Sequence, residues 1–204
     1  MKKIISILVS VTLLVACGGK TITINGDLSE FDKVAPDSKV ELYIDGSDEA
    51  LATTTLDANK NFTADIAVDG EQFVMLLIND TPVMELVTEG KDIAFSYNPE
   101  TYTVDYAEEC LNASLRDIKN SISDQMNALY TCTDNAEAEA LYAELCNYID
   151  RAVVENKDNI TSLKILQYYM YYGEDEARLA ELFEMINTKY ADQPLYKEYK
   201  KHID

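Results

Sequence analysis

Two periods divide the chain. Between residues 20 and 107 apolar and polar side chains alternate, the mark of half-buried strands. The alternation covers Thr21–Ile24, Val40–Ile44, Phe62–Ile66, Phe73–Ile78, Val83–Val87, Ile93–Tyr97 and Tyr102–Tyr106. Turn-forming residues punctuate it at Asp45-Gly46-Ser47, Asp57-Ala58-Asn59, Asn79-Asp80, Glu89-Gly90 and Asn98-Pro99. Phe73 to Ile78 is apolar on both faces, which predicts a central strand. Short strands at regular spacing predict an antiparallel β-sandwich or an open barrel.

From about Glu108 the apolar residues recur every three or four positions. Leu111, Leu115, Ile118, Ile122, Met126 and Leu129 form one stripe. Asp134 followed by Glu137 resembles a capping box, and behind it Leu141, Leu145, Tyr148 and Ala152 form a second stripe. A third helix is predicted from Thr161 to Tyr172, stopped by Gly173. A fourth is predicted over about Asp175–Tyr190, and a fifth near Asp192, with Pro194 in its first turn. The fold class is α+β, a sandwich or open barrel followed by a bundle of about five helices. The junction near 107–111 is short, so the halves are expected to pack together.

The first residues follow neither period. Met1-Lys2-Lys3 is a basic start, and Ile4 to Ala16 is an apolar run diluted by Ser6, Ser10 and Thr12. As a helix it would be roughly 20 Å long, short of the ~30 Å hydrocarbon core of a bilayer. This reads as a cleaved leader. Leu14-Val15-Ala16-Cys17 resembles the lipobox of bacterial lipoproteins. The resemblance implies cleavage before Cys17, acylation of that cysteine and anchoring in a lipid bilayer. An ordinary secretory signal that happens to end near a cysteine is the plainer alternative. Two or three acyl chains hold a soluble domain firmly, where one is marginal. Gly18-Gly19-Lys20 reads as a tether, and the first acid after it is Asp27, so no acidic surface-export cluster follows Cys17. The expected location is the periplasmic face of the outer membrane. The expected divisions are leader 1–16, lipidated tether 17–20, β-sandwich domain 21–107 and helical domain 108–204.

Charge narrows the partners. The chain has 37 acidic against 17 basic residues, a net charge of −20. Such a surface repels nucleic acid and anionic headgroups. The acids are spread along the chain, as solubility requires, and the densest run, Glu174-Asp175-Glu176, sits where a helix start favours negative charge. Beyond Cys17 three cysteines remain: Cys110, Cys132 and Cys146. Cys110 and Cys132 fall near opposite ends of one predicted helix, about 33 Å apart. Cys146 lies midway along the next, roughly 15 Å from either in an antiparallel hairpin. Bridging needs Cα atoms within about 7 Å, so no internal disulfide is expected. Their expected role is that of small buried hydrophobes.

Taken together, certain segments resemble a known layout. Thr21-Ile22-Thr23-Ile24-Asn25-Gly26-Asp27, Lys39-Val40-Glu41-Leu42-Tyr43, and Thr53-Thr54-Thr55 before Asn61-Phe62-Thr63 are similar to the N-terminal domain of unknown function of thioredoxin-like envelope lipoproteins. Asn59 or Asn61 stands where that family's hairpin carries glycine, and asparagine tolerates the left-handed backbone of such a turn. Asn156-Lys157-Asp158-Asn159, Glu174 to Ile186, Gln193-Pro194-Leu195-Tyr196 and Tyr199-Lys200 are similar to the family's helical linker. In the family that linker leads into a redox domain of the thioredoxin or peroxide-reductase type. This sequence has no such segment, so no family catalytic residue carries over.

Other motifs offer little chemistry. Asp57-Ala58-Asn59-Lys60-Asn61 opens like a calcium loop, but Phe62 stands where glycine is needed and Val68 where a bidentate glutamate is needed, so a hairpin turn explains it better. His202, the single histidine, lies in the last predicted turn, where a catalytic triad has no use for it. No Cys-x-x-Cys pair, phosphate loop or paired metal-ligand spacing occurs, and no cofactor is expected. Tyr168, Tyr169, Tyr171 and Tyr172 surround Met170 on the third helix. Inward packing accounts for some of them, and any that are exposed form a candidate contact patch.

The leading expectation is a non-catalytic envelope lipoprotein, a binding or scaffold module. Its expected partners are the bilayer through Cys17 and another envelope protein, with a second copy of the chain as a further candidate. One alternative is a glycan- or small-ligand-binding lipoprotein, which needs an exposed aromatic cleft. Another is a redox accessory using a free cysteine, which needs a thiol of depressed pKa in an electropositive spot.

Overall fold

The computed structural model describes residues 19–203, so Cys17, its tether residue Gly18 and the leader lie outside the described residues. Eight strands come first: β1 (Lys20–Asp27), β2 (Lys39–Ile44), β3 (Ala50–Thr55), β4 (Asn61–Val68), β5 (Phe73–Ile78), β6 (Thr81–Val87), β7 (Ile93–Asn98) and β8 (Thr103–Tyr106). Five helices follow: α1 (Leu111–Thr131), α2 (Asn135–Asn156), α3 (Thr161–Tyr172), α4 (Glu176–Met185) and α5 (Pro194–Ile203). The α+β class read from the two periods is the observed one.

The strands form two four-stranded sheets, ordered β4-β1-β7-β8 and β3-β2-β5-β6. Every pairing is antiparallel except β1 with β7, which run parallel. The inner faces enclose one apolar core, to which Ile22, Ile24, Leu42, Ile66, Leu76 and Phe95 belong. Strand β4 shows the alternation cleanly, with Phe62, Ala64, Ile66 and Val68 buried and the residues between them exposed. Gly26 has a steric reason, since a side chain there would overlap the Phe62 ring. Strand β5 is interior to its sheet, as its apolar run predicts.

Strand β3 is the one the alternation misses. Ala-Leu-Ala-Thr-Thr-Thr is half exposed along an edge, where the buried-face signal is weak. The β3–β4 turn also differs in detail. Lys60 takes the left-handed backbone (φ 63°), not Asn59 or Asn61. The carboxylate of Asp57 accepts the backbone N–H groups of Asn59 and Asn61, 2.8 Å each, and that fixes which residue turns. Asn79 and Asp80 both have positive φ and join β5 to β6 in a two-residue turn of the mirror-image kind.

The helical half builds a second core around α3, in which Ile160, Leu163, Ile165, Leu166 and Tyr169 are buried. Helix α3 spans the predicted residues, and Gly173 ends it. Gly173 has negative φ (−77°), so it is needed for space and not for a left-handed turn; a side chain there would strike the Tyr169 ring. On α2 the cap is as read, with Asp134 accepting from the Glu137 N–H at 3.0 Å. Its buried line is Leu145, Ile149, Ala152 and Val153, leaving Leu141 and Tyr148 only half-buried. The predicted fourth helix is two pieces. Helix α4 stops at Met185, because Ile186 and Asn187 both leave helical geometry; Asn187 donates its N–H to the Lys157 carbonyl at 3.0 Å and caps a short 3-10 turn at Thr188–Tyr190. Arg178 ties α4 to α2 by two bonds to Asp150, at 2.7 and 3.0 Å.

Candidate functional site

The two sheets are joined on one side by the β3–β4 turn and are open on the other, where the outer edges of β6 and β8 have no partner strand. Bare edges expose backbone donors and acceptors and need a cover. Helix α1 supplies it. The buried amide of Asn112 donates to the Val87 carbonyl and accepts from the Val87 N–H, both at 2.7 Å. One turn later Arg116 donates to the Val104 carbonyl on β8 at 3.1 Å. Helix α1 therefore closes the sandwich by side chains and not by a further strand.

The cover is incomplete. Between the two edges and α1 lies a cleft of about 510 Å³. Helix α1 contributes Asn112, Leu115, Arg116, Lys119 and Asn120, which share one face by their three- and four-residue spacing. The sandwich contributes Phe31, Tyr97, Tyr102 and Tyr106, together with Val83, Met84 and Val104. Phe31 and Tyr97 are in contact with centroids 4.8 Å apart, and Tyr102 is 82% exposed at the mouth. The Arg116 guanidinium lies 5.9 Å from the centre of the Tyr106 ring.

The charges of the cleft are unlike those of the rest of the chain. Lys33, Arg116 and Lys119 line it, against a single carboxylate, Glu85. Glu85 is paired with Lys164 at 2.7 Å, and both side chains are over four-fifths buried, at 15% and 18% exposure. Arg116 is paired with Asp117 at 2.7 Å and Asp105 at 3.3 Å. Lys119 and Lys33 take part in no ion pair among the described residues. Burial pushes the Lys119 ammonium below the usual lysine range; Glu85 opposes that shift and Lys164 adds to it. A second hollow of about 490 Å³ lies on the sandwich beside Asp27, Asn61 and Asp105, with no basic residue in its lining.

The tyrosines singled out in the sequence do not form one surface. Tyr169 is buried, Tyr168 and Tyr172 are half-buried, and Tyr171 alone is exposed, at 75%. Burial raises the phenols of Tyr168 and Tyr169 above their ordinary range. Of the four candidates for a contact patch, only Tyr171 is exposed, and inward packing accounts for Tyr169. The aromatic cleft is built from other tyrosines, at positions where an alternating strand or turn gives no reason to single them out. A signal for it did exist. Lys119 sits between Leu115 and Ile122 on the apolar stripe of α1, a place where a cation needs an explanation.

Cys110 and Cys132 cap the two ends of α1 and Cys146 lies midway along α2, as read from spacing, and all three are unpaired. None is fully buried, which corrects their expected role as core residues; each lies at a helix end or a half-covered face. The Cys146 thiol donates to the Tyr172 carbonyl at 3.4 Å. Burial pushes this thiol up, the bond with Tyr142 opposes the rise, and Glu174 adds to it. His202 is exposed in the last turn of α5. Among the described residues no group of three or more His, Cys, Asp or Glu side chains is arranged to hold a metal, and no helix is long and apolar enough to cross a membrane.

Comparison of the chain with protein-family models, with curated proteins and with solved structures finds no match.

Proposed function

We propose that the protein is a non-catalytic, lipid-anchored binding protein of the cell envelope that takes a small ligand in the cleft between the sandwich edges and α1. The anchor is Cys17 and the location is the periplasmic face of the outer membrane. The basic start, the short apolar run and the Leu-Val-Ala-Cys junction support the anchor. The observation that carries the binding reading is the cleft itself. Four aromatic rings, several apolar side chains and a few polar groups converge on a concavity of ligand size. An exposed aromatic cleft is what a ligand-binding reading calls for, and this lining supports it. The resemblance to the front ends of redox lipoproteins supports the same envelope setting, with another envelope protein as a partner. The thiol reading gains no support from Cys146, whose pKa is raised where a reactive thiol needs it lowered.

Two measurements test the proposal. Mass spectrometry of the native N-terminus should find an acylated Cys17, and Cys17→Ala should release the protein from the membrane fraction; an unmodified terminus refutes the anchor. A thermal-shift screen with ring compounds should find ligands that raise the melting temperature by mass action. Tyr102→Ala should then remove most of that shift without altering the melting temperature of the free protein.

A further inference from the structure

The cleft concentrates cations in a chain with 37 acidic and 17 basic residues. One of its basic groups, and a lysine behind it, are already committed. Arg116 holds the β8 edge, lies over the Tyr106 ring and pairs with Asp105 and Asp117. Lys164, behind the cleft, neutralises Glu85 and lies 4.9 Å from the centre of the Phe73 ring. Lys119 is left over. It is half-buried on the apolar face of α1, with no ion pair and no side-chain hydrogen bond among the described residues. Glu85 in the same lining favours the charged Lys119 but is itself paired with Lys164; taking an ammonium out of water without a direct ion pair costs free energy, and an anion entering the cleft offsets that cost. Lys33, exposed on the same lining, adds attraction at the rim.

The remaining lining describes the rest of the ligand. Phe31, Tyr97 and Tyr102 offer flat apolar faces, and Asn120 and Thr103 offer hydrogen bonds. Asp105 and Asp117 stand close by and disfavour a dianion such as phosphate, whereas one half-buried ammonium matches a single negative charge. We infer that the cleft takes a monoanionic ligand, a carboxylate carried on a ring with an apolar face, with the carboxylate against Lys119 and the ring against the aromatic side chains. This rests on the cleft being a ligand site. An acidic saccharide and an aromatic acid both have this chemistry.

The test is titration calorimetry on the full-length protein in detergent. The probes are glucuronate and phenylacetate, each compared with its uncharged counterpart, methyl glucoside and phenylacetamide. At least one acid should bind tenfold or more tightly than its neutral counterpart, and the pair that shows the preference identifies the source. Lys119→Gln should reduce that preference below threefold, and Lys119→Arg should restore it. Acids and neutral compounds binding equally, or a preference that survives Lys119→Gln, overturns the assignment of charge while leaving a ring-binding cleft. Failure of every ring compound, charged or neutral, to bind overturns the assignment together with the binding reading.

Discussion

The helical half meets the sandwich in two places, and the two are built on opposite principles. At the end formed by the β4–β5 loop the contact is closed. Glu71 reaches from that loop to accept the N–H of Ile160 at 2.7 Å and the hydroxyl of Tyr190 at 2.5 Å, with Lys189 at 3.3 Å. It thereby caps α3, whose own N-cap residue offers no side-chain bond. Burial and the bond to Glu71 both raise the Tyr190 phenol. Phe73 and Val87, on the strands, belong to the core of the helical half and not to that of the sandwich. Under α1, by contrast, the contact is open. Lys119 is desolvated without an ion partner, and rings of Phe31, Tyr97 and Tyr102 face a cavity. A junction that serves only stability satisfies its polar groups, as the Glu71 end does. A junction that desolvates a charge without a direct ion pair carries a cost that its own contacts leave standing.

Substitutions should separate these two ends. The largest effect is expected from Phe73→Ala, which empties the shared wall and should cost about 4 kcal/mol. Asn112→Ala comes next, because it strands the N–H and C=O of Val87; a loss of about 3 kcal/mol is expected in denaturant unfolding. Glu71→Gln keeps the shape of the clamp but removes its charge, for an expected loss of about 1.5 kcal/mol. If Glu71→Gln proves neutral, the closed end is held by packing alone and the contrast weakens. Tyr171→Ala should change stability by no more than about 0.5 kcal/mol, as for an exposed side chain with no special contact.

The smallest effect is chemical. The Cys146 thiol has a raised pKa, so at any given pH it holds less thiolate than a free cysteine. Alkylation by iodoacetamide at mildly alkaline pH should therefore be slower at Cys146 than for free cysteine, and the rate should rise to its plateau only at higher pH. Removing a neighbouring negative charge with Glu174→Gln should move that plateau back toward lower pH. A Cys146 that reacts faster than free cysteine would reopen the redox reading.

Much of the architecture could be read from the order of residues because it depends on local repetition. Alternation places Ile22, Ile24, Phe62, Ile66 and Phe95 on inner faces whatever the sheets' arrangement. The stripe of α1 and the cap at Asp134 likewise depend on residues three or four apart. The readings that failed involve choices between equals. In the β3–β4 turn Asn59, Lys60 and Asn61 could each take the left-handed position, and the Asp57 carboxylate decides for Lys60. Along Asp175–Tyr190 the apolar pattern continues, but a carbonyl at the end of α2 captures the Asn187 N–H and breaks the helix.

The sequence by itself determined the two textures of the chain, the positions of its cysteines on α1 and α2, and its strongly acidic balance. Tertiary structure decided which strands are edges, that α1 covers them by Asn112 and Arg116, and that Lys119 lines a cleft without an ion pair among the described residues. The reason is one of range. Periodicity and capping act between neighbours within one or two turns, whereas an edge, a cleft and an unmatched charge exist only where segments dozens of residues apart are brought together.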